Sequence, residues 1–182
     1  MTFLGIDQSL MGTGLSVLSD VGVLVASARI DTDELRDGER LLFIKKAVAL
    51  HLGPVEFAAL EGYSYNSTGH VFELGEIGGV LKTLLVESSV PYVSVPPILL
   101  KKFATGTTHA DKDKMLGAAL AQGHDFGDDD NQADAFFLAR IALAYAKNTA
   151  KHRCEMEVIH TLRNPKDKKP KRRVRRLIKN AV

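Results

Sequence analysis

Short apolar runs alternate along the chain with stripes at helical spacing, and glycine, proline and acidic residues mark the changes. Phe3, Leu4 and Ile6 form an apolar strand that ends at Asp7. Gly12, Thr13 and Gly14 predict a turn into a second run at 15–18, and Asp20 to Gly22 a further turn before a third at 23–30. Three strands in hairpin connection follow from this. After a polar loop at 31–38, the segment 40–52 places Leu41, Ile44, Ala47 and Val48 at helical spacing, and Gly53-Pro54 stops it. The run 57–60 is apolar throughout, as a buried central strand should be, and it ends at Glu61.

A loop at 63–69 precedes a predicted helix over Val71–Glu87 with Gly75, Gly78 and Gly79 inside it. Each glycine costs about 1 kcal/mol against alanine, so close packing against another backbone or a partner subunit is expected there. Tyr92–Val95 reads as a fifth strand closed by Pro96-Pro97, and helices are expected over 98–103, 111–121 and 132–147. Three strands in hairpin order, then two reached through helices, predict a mixed α/β architecture. There is no internal repeat, and a division into a domain at 1–150 and a basic extension at 151–182 is expected.

A length of 182 residues suits one domain with a real core and a short appendage. With 45% hydrophobic and 25% charged residues, the chain has the composition of a soluble protein. Its apolar runs fall short of a bilayer span, and Met1 to Ile6 lacks the features of a signal peptide, so an intracellular, cytoplasmic protein is expected. The single cysteine, Cys154, excludes an internal disulfide and a Cys-rich zinc site, and the six histidines show no tight ligand spacing. Any metal must be held mainly by oxygen.

The net charge of +2 hides an asymmetry: residues from Lys147 onward carry +10 and residues 1–146 carry −8. A block such as Lys168, Lys169, Lys171, Arg172, Arg173, Arg175 and Arg176 cannot pack in a core and attracts polyanions by releasing their counterions. Nucleic acid is the obvious candidate partner. A solubilising tail, or contact with an acidic protein, fits the same residues.

Asp7 and Glu61 each follow a buried apolar strand, and Asp128, Asp129, Asp130 and Asp134 open the last helix. Strand ends at one sheet edge are where α/β proteins gather their sites, and Asp130 and Asp134, four apart, share a helical face. If that helix end docks beside the two strands, three or four carboxylates converge. Such a cluster repels itself without a cation, and all-oxygen ligands suit Mg²⁺ or Mn²⁺. Two such ions about 3.5 to 4 Å apart can activate water and stabilise the leaving oxygen in phosphodiester hydrolysis. Taken singly, an Asp after a strand is also a turn or cap residue, and an Asp run at a helix start is also a solvated N-terminus.

The residues around the acids decide between these readings. Phe3-Leu4-Gly5-Ile6-Asp7-Gln8-Ser9 with Thr13-Gly14 resembles the first motif of the RuvC family of Holliday-junction resolvases. Ala59-Leu60-Glu61-Gly62 resembles its second motif, and Asn131-Gln132-Ala133-Asp134-Ala135 with Leu138-Ala139 its last. Lys101-Lys102-Phe103-Ala104-Thr105-Gly106, followed by Ala110-Asp111-Lys112, resembles its basic loop. All four occur in the family's order over residues 1–147.

The resemblance implies an RNase H-like fold, a homodimer, and metal-dependent cleavage of two opposed strands at a four-way DNA junction, with two Mg²⁺ ions or Mn²⁺ in their place. Asp7, Glu61 and Asp134 carry over as metal ligands and catalytic groups. The fourth ligand is Asp130 or Asn131, and Asp130 is favoured because a carboxylate binds Mg²⁺ better than an amide. Lys101, Lys102 and Lys112 carry over as DNA contacts, Lys112 also as a stabiliser of transition-state charge. Where the family presents an aromatic residue for stacking on a base this chain has Ser64, so Tyr63 and Tyr65 are the candidate substitutes. The long basic tail resembles viral or bacteriophage relatives.

Three other readings remain open. An actin-like ATPase shares the core and a similar opening motif, but it needs two duplicated domains and a second phosphate loop that this chain lacks. A non-catalytic DNA-binding module would rely on the tail alone. A flap or general branched-DNA nuclease would use the same acids on a different substrate.

Overall fold

The computed structural model describes residues 1–63 and 70–165. Five strands form one mixed sheet: β1 (Thr2–Asp7), β2 (Gly12–Ser19), β3 (Leu24–Asp31), β4 (Val55–Glu61) and β5 (Tyr92–Val95), in the order β3-β2-β1-β4-β5. β2 pairs antiparallel with both β1 and β3, while β4 runs parallel to β1 and β5 parallel to β4. The three antiparallel and two parallel strands are those the apolar runs predict. β1 is central, and Phe3, Leu4 and Ile6 are fully buried.

Strand alternation divides the core into two layers. Leu4, Ile6, Leu15, Ala58 and Leu60 face α1 (Asp37–Ala49) and α2 (Val71–Glu87). Phe3 and Ala59 face the opposite side, where α5 (Asp130–Lys147) lies across β1, β2 and β4 and is covered by α3 (Pro97–Thr105) and α4 (Lys112–Leu120). Asp7 and Glu61 are in step with Phe3 and Ala59, so alternation alone turns both acids toward α5.

α5 lies against bare backbone. A Cβ added at Gly5 would collide with the carbonyl oxygen of Ala135, and one at Gly14 with that of Asn131. This corrects the turn expected at Gly12 to Gly14, which are strand residues of β2, and the missing side chain of Gly14 admits the helix. The helix supplies the apolar surface that those positions omit, with Ala135, Leu138, Ala139 and Ala142 all fully buried.

A further expectation is corrected. A sixth helix, α6 (Arg153–Arg163), packs on α3 and α5 and buries Val158 and Ile159 in the α5-side core. The compact unit therefore continues past residue 150, and the boundary expected there cuts through a packed layer. Glu155 fixes this helix: it is buried, bonds Arg140 Nη2 on α5 at 3.0 Å and accepts from the backbone N–H of Lys151 at 2.8 Å. In α2, Gly78 packs against Gln8 and Tyr63 of the same chain, whereas Gly75 and Gly79 face open space and make no close backbone contact among the described residues. No described helix is long and apolar enough to cross a membrane.

Candidate active site

The C-terminal ends of the parallel strands β1 and β4 bring Asp7 and Glu61 to one sheet edge, and the first turns of α5 bring Asp130 and Asp134 to the same place. Asp7 is 5% exposed. Burial, and next the negative charge and hydrogen bond of Glu61, push its carboxyl well above the usual carboxylate range. Glu61 is itself pushed up to about 7, chiefly by burial and then by the charge of Asp134, with Asp7 and Lys101 working against the rise. Asp134 is pushed up to about 8 by burial, then by Asp7 and Asp130. One Asp134 oxygen, Oδ1, is buried with no hydrogen-bond partner among the described residues. Three acids thus share a desolvated space that holds back their ionisation.

Among the described residues no group of three or more His, Cys, Asp or Glu side chains is drawn close enough to form a ready-made ion cage. The donor set still fits a hard cation. It offers carboxylate oxygens without thiolate or imidazole, includes an orphaned oxygen, and ionises more readily when positive charge is supplied.

The N-terminus of α5 is held by a chain of polar contacts running from the sheet. Asp129 caps the helix, its Oδ1 accepting from Gln132 N at 3.1 Å and its Oδ2 from Gln132 Nε2 at 3.0 Å. Gln132 Oε1 accepts from Ser27 Oγ of β3 at 2.7 Å, and Ser27 meets buried Ser16 of β2 at 3.2 Å. Gln132 therefore sets the rotation of the turn that carries Asp130 and Asp134.

The candidate cations divide. Lys101 on α3 lies near enough for its charge to lower both Glu61 and Asp134. Lys112, the first residue of α4, meets Asp130 Oδ1 at 2.9 Å. Asp130 is accordingly turned to the rim, although its charge still raises Asp7 and Asp134. Asn131 sits over the sheet, with its backbone carbonyl against Gly14. Lys102, expected to contact DNA, instead bonds Glu157 of α6 at 2.8 Å, because adjacent helical residues point about 100° apart. Tyr63, expected to stack on a base, donates its hydroxyl to Gly75 O at 3.2 Å and lies under Lys82, so its ring is committed to α2. Tyr65 and the tail residues Lys171, Arg172, Arg173, Arg175 and Arg176 lie outside the described residues.

Sequence reasoning missed Gln132, Ser16, Ser27 and Arg29, which faces the same α5 side from β3. Polar residues in strands read as solvent-facing, and the available clue was glycine at Gly5 and Gly14, where a strand favours a side chain.

No family model matches the chain. The crossover junction endodeoxyribonuclease RuvC of Synechococcus sp. (strain WH7803) is 30% identical over 128 residues, covering 67% of this chain and 83% of that protein. The same enzyme of Synechococcus sp. (strain CC9311) is 31% identical over 135 residues, with coverages of 67% and 84%. Among solved structures, Thermus thermophilus RuvC superposes with a TM-score of 0.69 at 22% identity, over 83% of this chain and 99% of that one. T. thermophilus RuvC in complex with a Holliday junction substrate gives 0.67 at 23% identity, over 82% and 95%. At those identities the structural likeness is one of fold.

Proposed function

The chain belongs to the RuvC family of crossover junction endodeoxyribonucleases, and from that premise we propose that it resolves four-way DNA junctions by metal-dependent phosphodiester hydrolysis at Asp7, Glu61 and Asp134. The observation that carries this reading is the burial of three carboxylates whose proton affinities are raised, one with an orphaned oxygen, at a single sheet edge. A structural salt-bridge network would pair these acids with bases. Here the nearest cation, Lys101, leaves Glu61 and Asp134 far above their ordinary values.

Asp7, Glu61 and Asp134 are the residues that would hold divalent metal, Mg²⁺ by preference on the chemistry of the donors, with Asp130 or Asn131 as a fourth ligand. Two bound ions would supply activated water and stabilise the leaving oxygen. The chain's own groups do the rest. Lys101 flanks the acids from α3 and binds a backbone phosphate, and Lys112, held cationic by Asp130, is placed to follow charge that builds on the scissile group.

Resolution needs two opposed cuts, hence two sites in fixed relation, which a symmetric homodimer supplies. α2 is the proposed interface. Phe72 and Val86 are exposed there, Gly75 and Gly79 leave room for close approach of a second helix, and Leu42 and Phe43 of α1 extend the apolar area.

Cleavage of a synthetic four-way junction with and without Mg²⁺ tests the reading. Asp7→Asn, Glu61→Gln and Asp134→Asn are each expected to abolish cleavage and to retain junction binding, because affinity comes mainly from phosphate contacts. Cleavage by Asp7→Asn above a few per cent of the wild-type rate refutes the assignment. In the same assay Asp130→Asn is expected to be inactive and Asn131→Ala active, and the opposite result makes Asn131 the fourth ligand.

A further inference from the structure

The register of the sheet places a cation where no motif assigns one. Asp7 pairs with Gly14, and Gly14 with Arg29, so Asp7 and Arg29 stand in one row across three strands, about 10 Å apart at two strand spacings. Paired residues point to the same face. The Arg29 side chain therefore leaves the sheet on the side of the acids, at the same edge, beyond the N-terminus of α5. Lys101 flanks the acids from the β5 side, and Arg29 flanks them from the β3 side.

Two observations show that Arg29 is held there. Its Nε bonds Asp31 Oδ1 at 2.6 Å, and among the described residues neither Nη has an acceptor. The guanidinium also lies across the α-carbon of Gly12: a Cβ built there would stand 2.7 Å from Cζ and 2.8 Å from Nη2. Gly12 is not among the glycines with positive φ, so backbone conformation does not demand glycine at that position. The guanidinium fills the space that a side chain at Gly12 would take. Asp31 orients the fork by one edge, Gly12 gives it a floor, and the Nη edge remains for a ligand.

We propose that Arg29, seated on Gly12 and oriented by Asp31, grips a backbone phosphate of the DNA strand on the β3 side of the carboxylates, within a few nucleotides of the cut. A planar fork with two free donors matches a phosphate, whereas Asp33 and Asp129 act on Arg29 only as charges. The substrate backbone then runs across the sheet edge from Lys101, over the acids, to Arg29. This inference rests on the nuclease reading and adds to it the direction in which the strand is laid.

The test uses full-length protein and a synthetic junction in which single phosphates near the cut are replaced by uncharged methylphosphonates, with Ca²⁺ in place of Mg²⁺ during binding. Arg29→Gln is expected to weaken binding roughly tenfold, as loss of a charge-assisted bond does. It should also flatten the slope of log K against log salt by about one. Neutralising one particular phosphate should harm the wild type and leave Arg29→Gln indifferent. Gly12→Ala, which keeps the arginine but removes its seat, is expected to lose sensitivity at the same phosphate, and Arg29→Lys to regain the salt slope without the full affinity. Wild-type affinity and slope in Arg29→Gln overturn the proposal. So does a lowered melting temperature with every phosphate as sensitive as before, which would make Arg29 a brace for Asp31. If the wild type cleaves junctions while Arg29→Gln binds unchanged, only the arginine is misassigned; if the wild type does not cleave, the nuclease reading falls and this inference with it.

Discussion

Removing divalent metal should make stability fall as pH rises. Glu61 moves from an ordinary 4.5 to about 7 and Asp134 from 3.8 to about 8, while Asp7 rises as well, each primarily because burial penalises its charged form. Between about pH 4 and about pH 8 the folded chain therefore binds more protons than the unfolded chain, and in that window stability declines with rising pH. A tenfold change in proton affinity is worth about 1.4 kcal/mol, but the three acids titrate as a coupled set and their shifts do not add. A net loss on the order of 3 to 4 kcal/mol is expected, or roughly 10 °C in melting temperature for a domain of this size. Metal binds only the ionised acids, so saturating Mg²⁺ should restore much of the loss at about pH 8 and little at about pH 5. Melting followed by circular dichroism, in EDTA and in Mg²⁺ at both pH values, measures all four corners. Asp134→Asn, which removes one charge from the cluster, should melt higher than the wild type in EDTA at about pH 8. A metal-free melting temperature that is flat or rising across this range, or a Mg²⁺ effect equal at both ends, would refute the reasoning.

Gln132→Ala should leave the fold intact, with a loss of about 1 to 2 kcal/mol for the contacts to Asp129 and Ser27, yet slow cleavage at saturating Mg²⁺ through misplacement of Asp130 and Asp134. Single-turnover rates read this, and an unchanged rate contradicts the positioning role. Deleting residues 164–182 should weaken binding of junction and linear duplex alike and flatten its salt dependence, since a basic tail neutralises phosphates without reading branch structure. Cleavage at saturating enzyme should persist, and loss of junction binding alone would show that the tail recognises the branch. Gly79→Glu on the open face of α2 should convert a dimer to a monomer in light scattering, and a wild type that is monomeric both free and on junction DNA contradicts the proposed interface.

How much of this was legible in the sequence depended on which physical rule governed each residue. Residues 3–6 of β1 and 57–60 of β4 are apolar because both faces are covered there, and a run that ends in a carboxylate places the acid at a sheet edge. Alternation from Phe3 and Ala59 then settles which face each acid joins, so the core of the site follows from local pattern. Helical neighbours resist such reading: Lys101 and Lys102 are adjacent in sequence, yet one senses the acids and the other is held by Glu157. That difference comes from α6, whose apolar positions are interleaved with charged ones, and whose anchor, buried Glu155, looks like one more surface acid. The setting of Tyr63 was hidden for a related reason, because its partner Gly75 comes from a helix whose docking is a tertiary fact. The glycines carry the most transferable argument. Gly5 and Gly14 make way for α5 and Gly12 for Arg29, and none of the three has a positive φ. A glycine in a strand that does not need its conformational freedom marks the place where something else must lie, and here all three border the site.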